Sequence, residues 1–297
     1  MPAHENGEDL PEHEAIARRN DKFFEEVYSH AAADGVTFDK KDLKGSRLRC
    51  LMLTSMPRKR VAAILTRMIE PIGSVKPSDA WAPCGFLEPG EAEIGEHPSF
   101  LLPQERETVT SWWLKVREHA NTPNWDLVSM CDIAGKRGLI LAEAKAHEAE
   151  LKTEGKGRGN PENDGQIERA IREANSALSS VLPGWALTKD SHYQLCNRFA
   201  WAWKVATMGI PVVLVYLGFL HCDEMSKSGT PFDSAQQWKQ TILSHSQPFV
   251  PANAWDGAPI RTSGAPFWAL TRVLDCEWKG PPDCQNPADG EVHRKRS

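Results

Sequence analysis

From Trp125 to His147 the chain runs through two apolar stretches separated by the turn-prone Ala134-Gly135-Lys136-Arg137. Short runs of Val, Ile and Leu around such residues predict two antiparallel strands. Side chains alternate between the faces of a strand. The first strand therefore groups Asp126, Val128, Met130 and Asp132, and the second groups Leu139, Leu141, Glu143, Lys145 and His147 against Ala142, Ala144 and Ala146. Pairing Val128 with Glu143 sets Asp126 opposite Lys145 and leaves Ala134 to Arg137 as a four-residue loop. Downstream, Pro211 to Leu217 is apolar without interruption, as in a strand buried on both faces. Helical spacing of apolar residues predicts helices over Pro11 to about Ala33, Arg58 to Ile69, Gln104 to His119, Gln166 to Leu178, Lys189 to Met208 and Ser234 to Ser244. Arg47 to Leu53 and Phe267 to Trp278 read as further strands, and the proline- and glycine-rich segments 71–103 and 248–266 read as irregular.

Composition narrows the class without naming a function. A chain of 297 residues with 40% hydrophobic and 25% charged positions has a globular composition. Its 40 acidic residues against 35 basic ones give a net charge of −5, so any attraction to nucleic acid must come from local basic patches. Seven scattered cysteines without a CxxC pair predict free thiols in a reducing compartment. The first residues lack the apolar core of a secretory signal, and Ile210 to Leu220 is too short to span a bilayer as a helix, so the expectation is a cytoplasmic protein with no membrane partner. No Gly-rich phosphate loop, GxSxG or HExxH supports a small-molecule enzyme.

Asp126 followed, after a hairpin, by Glu143-Ala144-Lys145 resembles the signature of the PD-(D/E)XK nuclease superfamily. The proline, Pro123, lies two residues further from the aspartate than in the strict pattern; the apolar strand ending in Glu-Ala-Lys matches well. The resemblance implies an α/β protein with a restriction-endonuclease-like core, a central mixed sheet flanked by helices, acting as a Mg²⁺-dependent nuclease on DNA with Mn²⁺ as a substitute. Asp126 and Glu143 are then the metal ligands, and Lys145 acts on the attacking water or the scissile phosphate. Hard divalent cations take oxygen ligands and acidify a bound water, and an ammonium stabilises developing negative charge. An ordinary cross-strand salt bridge explains the same charges structurally.

The helix beginning His192-Tyr193-Gln194-Leu195 resembles the glutamine-bearing helix of RecB-like members, which makes Gln194 a further catalytic candidate. Where those relatives carry a tyrosine four residues on, this chain has Arg198. Glu105 and Glu107 open the helix ahead of the hairpin, where dipole compensation explains them as well as a place in the site does. The segment from Lys40 to Arg67 is the most basic in the chain, and Arg58, Lys59 and Arg60 are its candidate phosphate contacts, or else a solvated face. Lys152, Lys156 and Arg158 follow the hairpin and stand open to the same two readings. The family core needs a strand ahead of the aspartate strand, which must be very short or come from a segment such as Arg47 to Leu53.

The expected organisation is an N-terminal extension over residues 1–102, a nuclease-like core over 103–220 and a C-terminal extension over 221–297. A homodimer or a protein partner is compatible with this layout. The competing function is a catalytically silent relative that binds nucleic acid or protein through the same fold.

Overall fold

A computed structural model describes residues 44–275; the helix expected over Pro11 to Ala33, Lys40, Lys41 and the chain beyond Asp275 lie outside them. The protein is α/β, built on a five-stranded mixed sheet of order β1-β4-β5-β6-β7, formed by Trp81–Ala82, Leu127–Ile133, Lys136–Lys145, Val212–Leu220 and Phe267–Asp275. A two-residue pair, β2 (Ala92–Glu93) with β3 (Asn124–Trp125), lies beside it. Helices α1 (Gly45–Thr54) and α2 (Arg58–Ile69) contribute to the core on one sheet face. The other face carries α3 (Pro103–Trp113), α4 (Pro161–Val181), α5 (Tyr193–Thr207) and α6 (Ala235–Ser246).

The β4–β5 hairpin forms with a register two residues from the expected one. Leu127 pairs with Ala142 and Ile133 with Lys136, so the strands run on to a two-residue turn at Ala134-Gly135. Both turn residues have positive φ, 51° and 76°, the conformation whose twist matches paired strands. The Gly135 N–H also donates to Asp132 Oδ1 at 2.8 Å, which supports the tight turn in place of the four-residue loop. A slip of two preserves side-chain parity. The grouping of Asp126 with Glu143 and Lys145 therefore stands, while Asp126 comes level with Glu143 rather than Lys145.

Arg47 to Leu53, expected as a strand, lies within α1. The segment Arg-Leu-Arg-Cys-Leu-Met-Leu contains no β-branched residue and is rich in good helix formers. Its alternating appearance came from Arg49, which is buried and paired with Glu224 at 2.6 Å rather than turned to solvent. The short strand ahead of the aspartate comes instead from the proline-rich segment, where Trp81 pairs with Ser129 and Ala82 with Val128. The helix expected to reach His119 ends at Trp113. The helix after the loop starts earlier than expected, at Pro161, where Asn160 caps it by accepting from the Glu162 N–H at 2.9 Å.

Strand β6 is buried along its whole length between parallel neighbours β5 and β7, as its unbroken apolar run requires. The sheet thus draws β1 and β7 from either side of residues 103–220. Trp112, Trp113 and Trp201 meet in edge-on and tilted contacts where α3 and α5 meet, and Trp113, Trp125, Trp201 and Trp238 are fully buried. Such side chains each bury on the order of 200 Å² and fix the helices that carry the polar residues described next.

Candidate active site at the mouth of the hairpin

Asp126, Glu143 and Lys145 come together on the sheet face covered by α4 and α5. Glu143 and Lys145 are 1% and 5% exposed, in the last three residues of β5. Burying a carboxylate and an ammonium is costly unless each is paired, and here they are paired with each other. The second oxygen of Glu143 accepts from Arg198 Nε at 2.6 Å. Arg198 is itself buried; its other nitrogens donate to Asn197 Oδ1 at 2.9 Å and to the Asn124 carbonyl at 2.6 Å, and its guanidinium lies 4.5 Å from the centre of the Trp125 ring. Asp126, immediately before β4 begins, accepts from the Ala144 N–H at 2.7 Å, which ties the two arms of the hairpin together.

These neighbours set the charges. Burial pushes Glu143 up, but Arg198 and Lys145 outweigh it and hold the carboxyl below its ordinary value. Burial opposes the charged form of Lys145, yet Glu143 and Asp126 raise it, so the ammonium persists. Asp126 goes the other way. Burial and the Glu143 charge raise it from 3.8 to about 7, against smaller opposing effects of Lys145 and the Ala144 N–H. Two acids on one site with separated affinities for a proton are a recurrent feature of functional sites.

Asp126 and Arg198 open onto a cleft of about 630 Å³, whose lining does not include the buried Glu143 and Lys145. Glu91, Asp126, Gln194 and Arg198 line it, with Lys152 and Lys156 from the loop before α4. Gln194 stands one turn before Arg198 on α5 and is partly exposed to the cleft. Glu105 and Glu107 lie elsewhere. Glu105 accepts from the Leu102 N–H at the start of α3 and pairs with Arg137 at 2.6 Å, and Glu107 pairs with Arg117.

Arg58, Lys59 and Arg60 are not brought to this cleft. They open α2, on the opposite side of the sheet, and Arg58 donates to the carbonyls of Pro77 and Asp79, both at 2.6 Å, while covering Trp81. Sequence reasoning noted Arg198 only as a departure from the family pattern, without a role, and passed over Glu91. Arg198 had a signal: it is the lone charge in the run Leu195 to Trp203, where burial of the flanking residues makes a charge expensive unless it has a partner.

Two carboxylates from adjoining strands suit a hard divalent cation in donor type. The second oxygen of Asp126 meets no donor among the described residues, whereas both oxygens of Glu143 are held by cations. A metal therefore fits if Glu143 exchanges one cationic partner for it. Among the described residues no three His, Cys, Asp or Glu side chains are already placed around a metal position. No described helix is long and apolar enough to cross a membrane. No protein-family model matches the sequence, and the comparisons with curated proteins and with solved structures find no match either.

Asp126 also makes a stability prediction. Between pH 3.8 and about 7 the folded protein keeps a proton that the unfolded chain has lost, so this group's contribution falls as pH rises and its full penalty is present above about 7. Asp126→Asn should remove that penalty. The expected gain is on the order of 2 kcal/mol above neutral pH, discounted for the open cleft, and it should vanish under acid conditions. Urea titrations of both proteins across pH measure it; an equal gain at every pH would mean that the carboxyl is not the cause.

Proposed function

We propose that this protein is a Mg²⁺-dependent nuclease of the PD-(D/E)XK type, with a restriction-endonuclease-like core, that hydrolyses DNA phosphodiester bonds with water as the nucleophile. The observation that carries the reading is the convergence of Asp126, Glu143 and Lys145 on one sheet face, with Glu143 and Lys145 buried and Asp126 lining an open cleft, its carboxyl raised by burial and by the Glu143 charge. A cation relieves that repulsion, and Asp126 and Glu143 are the residues to hold it, with Mn²⁺ as a substitute. Once bound, it supplies charge neutralisation at the phosphate and acidifies a water molecule. The chain's own groups supply the rest. Lys145 provides a fixed positive charge beside the reacting centre, the β4–β5 hairpin keeps both carboxylates on one face, and Gln194 offers an amide donor from the cleft wall. Lys152 lines the cleft as a positive charge for a nucleic-acid backbone, while Lys156, also in the lining, is paired with Asp164.

Incubating the protein with linear, circular and single-stranded DNA in Mg²⁺, Mn²⁺ or EDTA tests this reading and sorts ends from internal bonds. Cleavage in the metal buffers alone is expected; no cleavage of any substrate would defeat it. One observation favours a second reading, a silent module that binds nucleic acid: Lys145 and Arg198 already neutralise Glu143 internally. That module binds DNA and leaves it intact.

On this reading, cations that line the cleft meet DNA and those of α2 do not. Lys152→Ala should weaken binding and reduce the salt slope by roughly one unit, while alanine at Lys59 and Arg60 should change neither. Anisotropy titrations over a range of salt would read both; the reverse pattern would move the interface to α2.

A further inference from the structure

Arg198 does more than fill the place of a lost tyrosine. In the site it stands as the second of two buried cations against two carboxylates, so with both carboxylates ionised the charge is balanced without any metal. A pair of carboxylates with one lysine would carry net negative charge and draw in a divalent ion; here a divalent ion would leave an excess of positive charge in a poorly hydrated site. The guanidinium also bridges two strands, holding Glu143 on β5 and the Asn124 carbonyl on β3, two residues before Asp126. At the same time it is among the residues that line the cleft, the place where the nuclease reading puts a phosphodiester. Arginine forms its strongest contacts with such oxyanions.

Resting on the nuclease reading, we propose that Arg198 is an internal counter-ion that makes cation loading depend on substrate. In the free protein it occupies Glu143. A nucleic-acid backbone entering the cleft draws the guanidinium toward phosphate, restores the negative charge and releases a Glu143 oxygen for the metal. Arg198 is thus a positioning residue for Glu143, and nucleic acid and metal bind cooperatively.

The test is calorimetric Mn²⁺ binding to the full chain above neutral pH, with and without a short duplex made uncleavable by phosphorothioate linkages. Wild type alone should bind Mn²⁺ weakly and gain about tenfold or more with the duplex. Arg198→Gln should bind about tenfold more tightly without DNA and gain little from it, and Asp126→Asn combined with Arg198→Gln should lose that affinity again. A role in packing alone predicts no such gain. Wild-type affinity that the duplex leaves unchanged overturns the proposal, and this measurement stands even if Arg198→Gln does not fold. Equal Mn²⁺ affinity of wild type and Arg198→Gln overturns it as well.

The nuclease reading is judged separately, by cleavage of an unmodified duplex. Cleavage by a wild type whose Mn²⁺ affinity ignores DNA removes only the gate. Gained Mn²⁺ affinity in Arg198→Gln beside a wild type that never cleaves keeps the counter-ion role and removes the nuclease.

Discussion

Glu143→Ala is expected to cost about 3–5 kcal/mol of stability, more than other single changes at the site, because it leaves two buried cations without their shared partner. Glu143 accepts from Lys145 with one oxygen and from Arg198 with the other, and all three residues are at most 5% exposed. Asp126 offsets part of the loss. With the neighbouring negative charge gone and two cations close by, its carboxyl should ionise more easily, so the variant should lose the elevated Asp126 titration. Glu143→Gln keeps the shape and one acceptor oxygen and should fall between wild type and Glu143→Ala. Urea denaturation with the midpoint followed by tryptophan fluorescence provides the comparison. A loss below about 1 kcal/mol in the alanine variant would mean that Lys145 and Arg198 find other partners and that the ion pairs do not organise this face.

How much of this was legible in the sequence follows from what each feature depends on. The hairpin, the shared face of Asp126, Glu143 and Lys145, and the central strand β6 were readable because period-two alternation and an unbroken apolar run are local properties. Helix α2 was readable to the residue for the same reason. The register was not: two-residue and four-residue loops both keep the right faces, and only the positive φ at Ala134 and Gly135 chooses between them. Strand β1 is two residues long and is a strand only because β4 lies beside it, so nothing in Trp81-Ala82 announces it. Helix α1 was misread since Arg49 is a buried ion-pair partner that imitates a solvent-facing position. Arg198 was visible as a departure from a family pattern, but its link to Glu143 spans 55 positions and depends on how α5 lies across β5.

Lys145→Ala is expected to lower DNA cleavage by about 10²–10³-fold or more, the scale of losing one fixed charge at a reacting centre. The fold should survive, because Glu143 keeps Arg198 as a partner and no buried cation is left alone. That asymmetry separates the two members of the pair: removing the carboxylate strands two cations, whereas removing the lysine strands none. Mn²⁺ binding should be no weaker in Lys145→Ala, since a lysine is not a metal ligand and its loss leaves one cation against two carboxylates, and should fail in Asp126→Asn. A lysine variant that cleaves normally would return the Lys145–Glu143 pair to the ordinary salt bridge that its sequence pattern also allows.

The most direct measurement follows supercoiled and linear duplex DNA over time with purified wild type, Asp126→Asn and Lys145→Ala, each in Mg²⁺, Mn²⁺ and EDTA, with folding of every variant checked beforehand. The expected result is cleavage by wild type in both metals, none in EDTA, and loss of cleavage in both folded variants. Equal cleavage by all three proteins, or wild-type cleavage that continues in EDTA, would contradict a metal-dependent site on this hairpin.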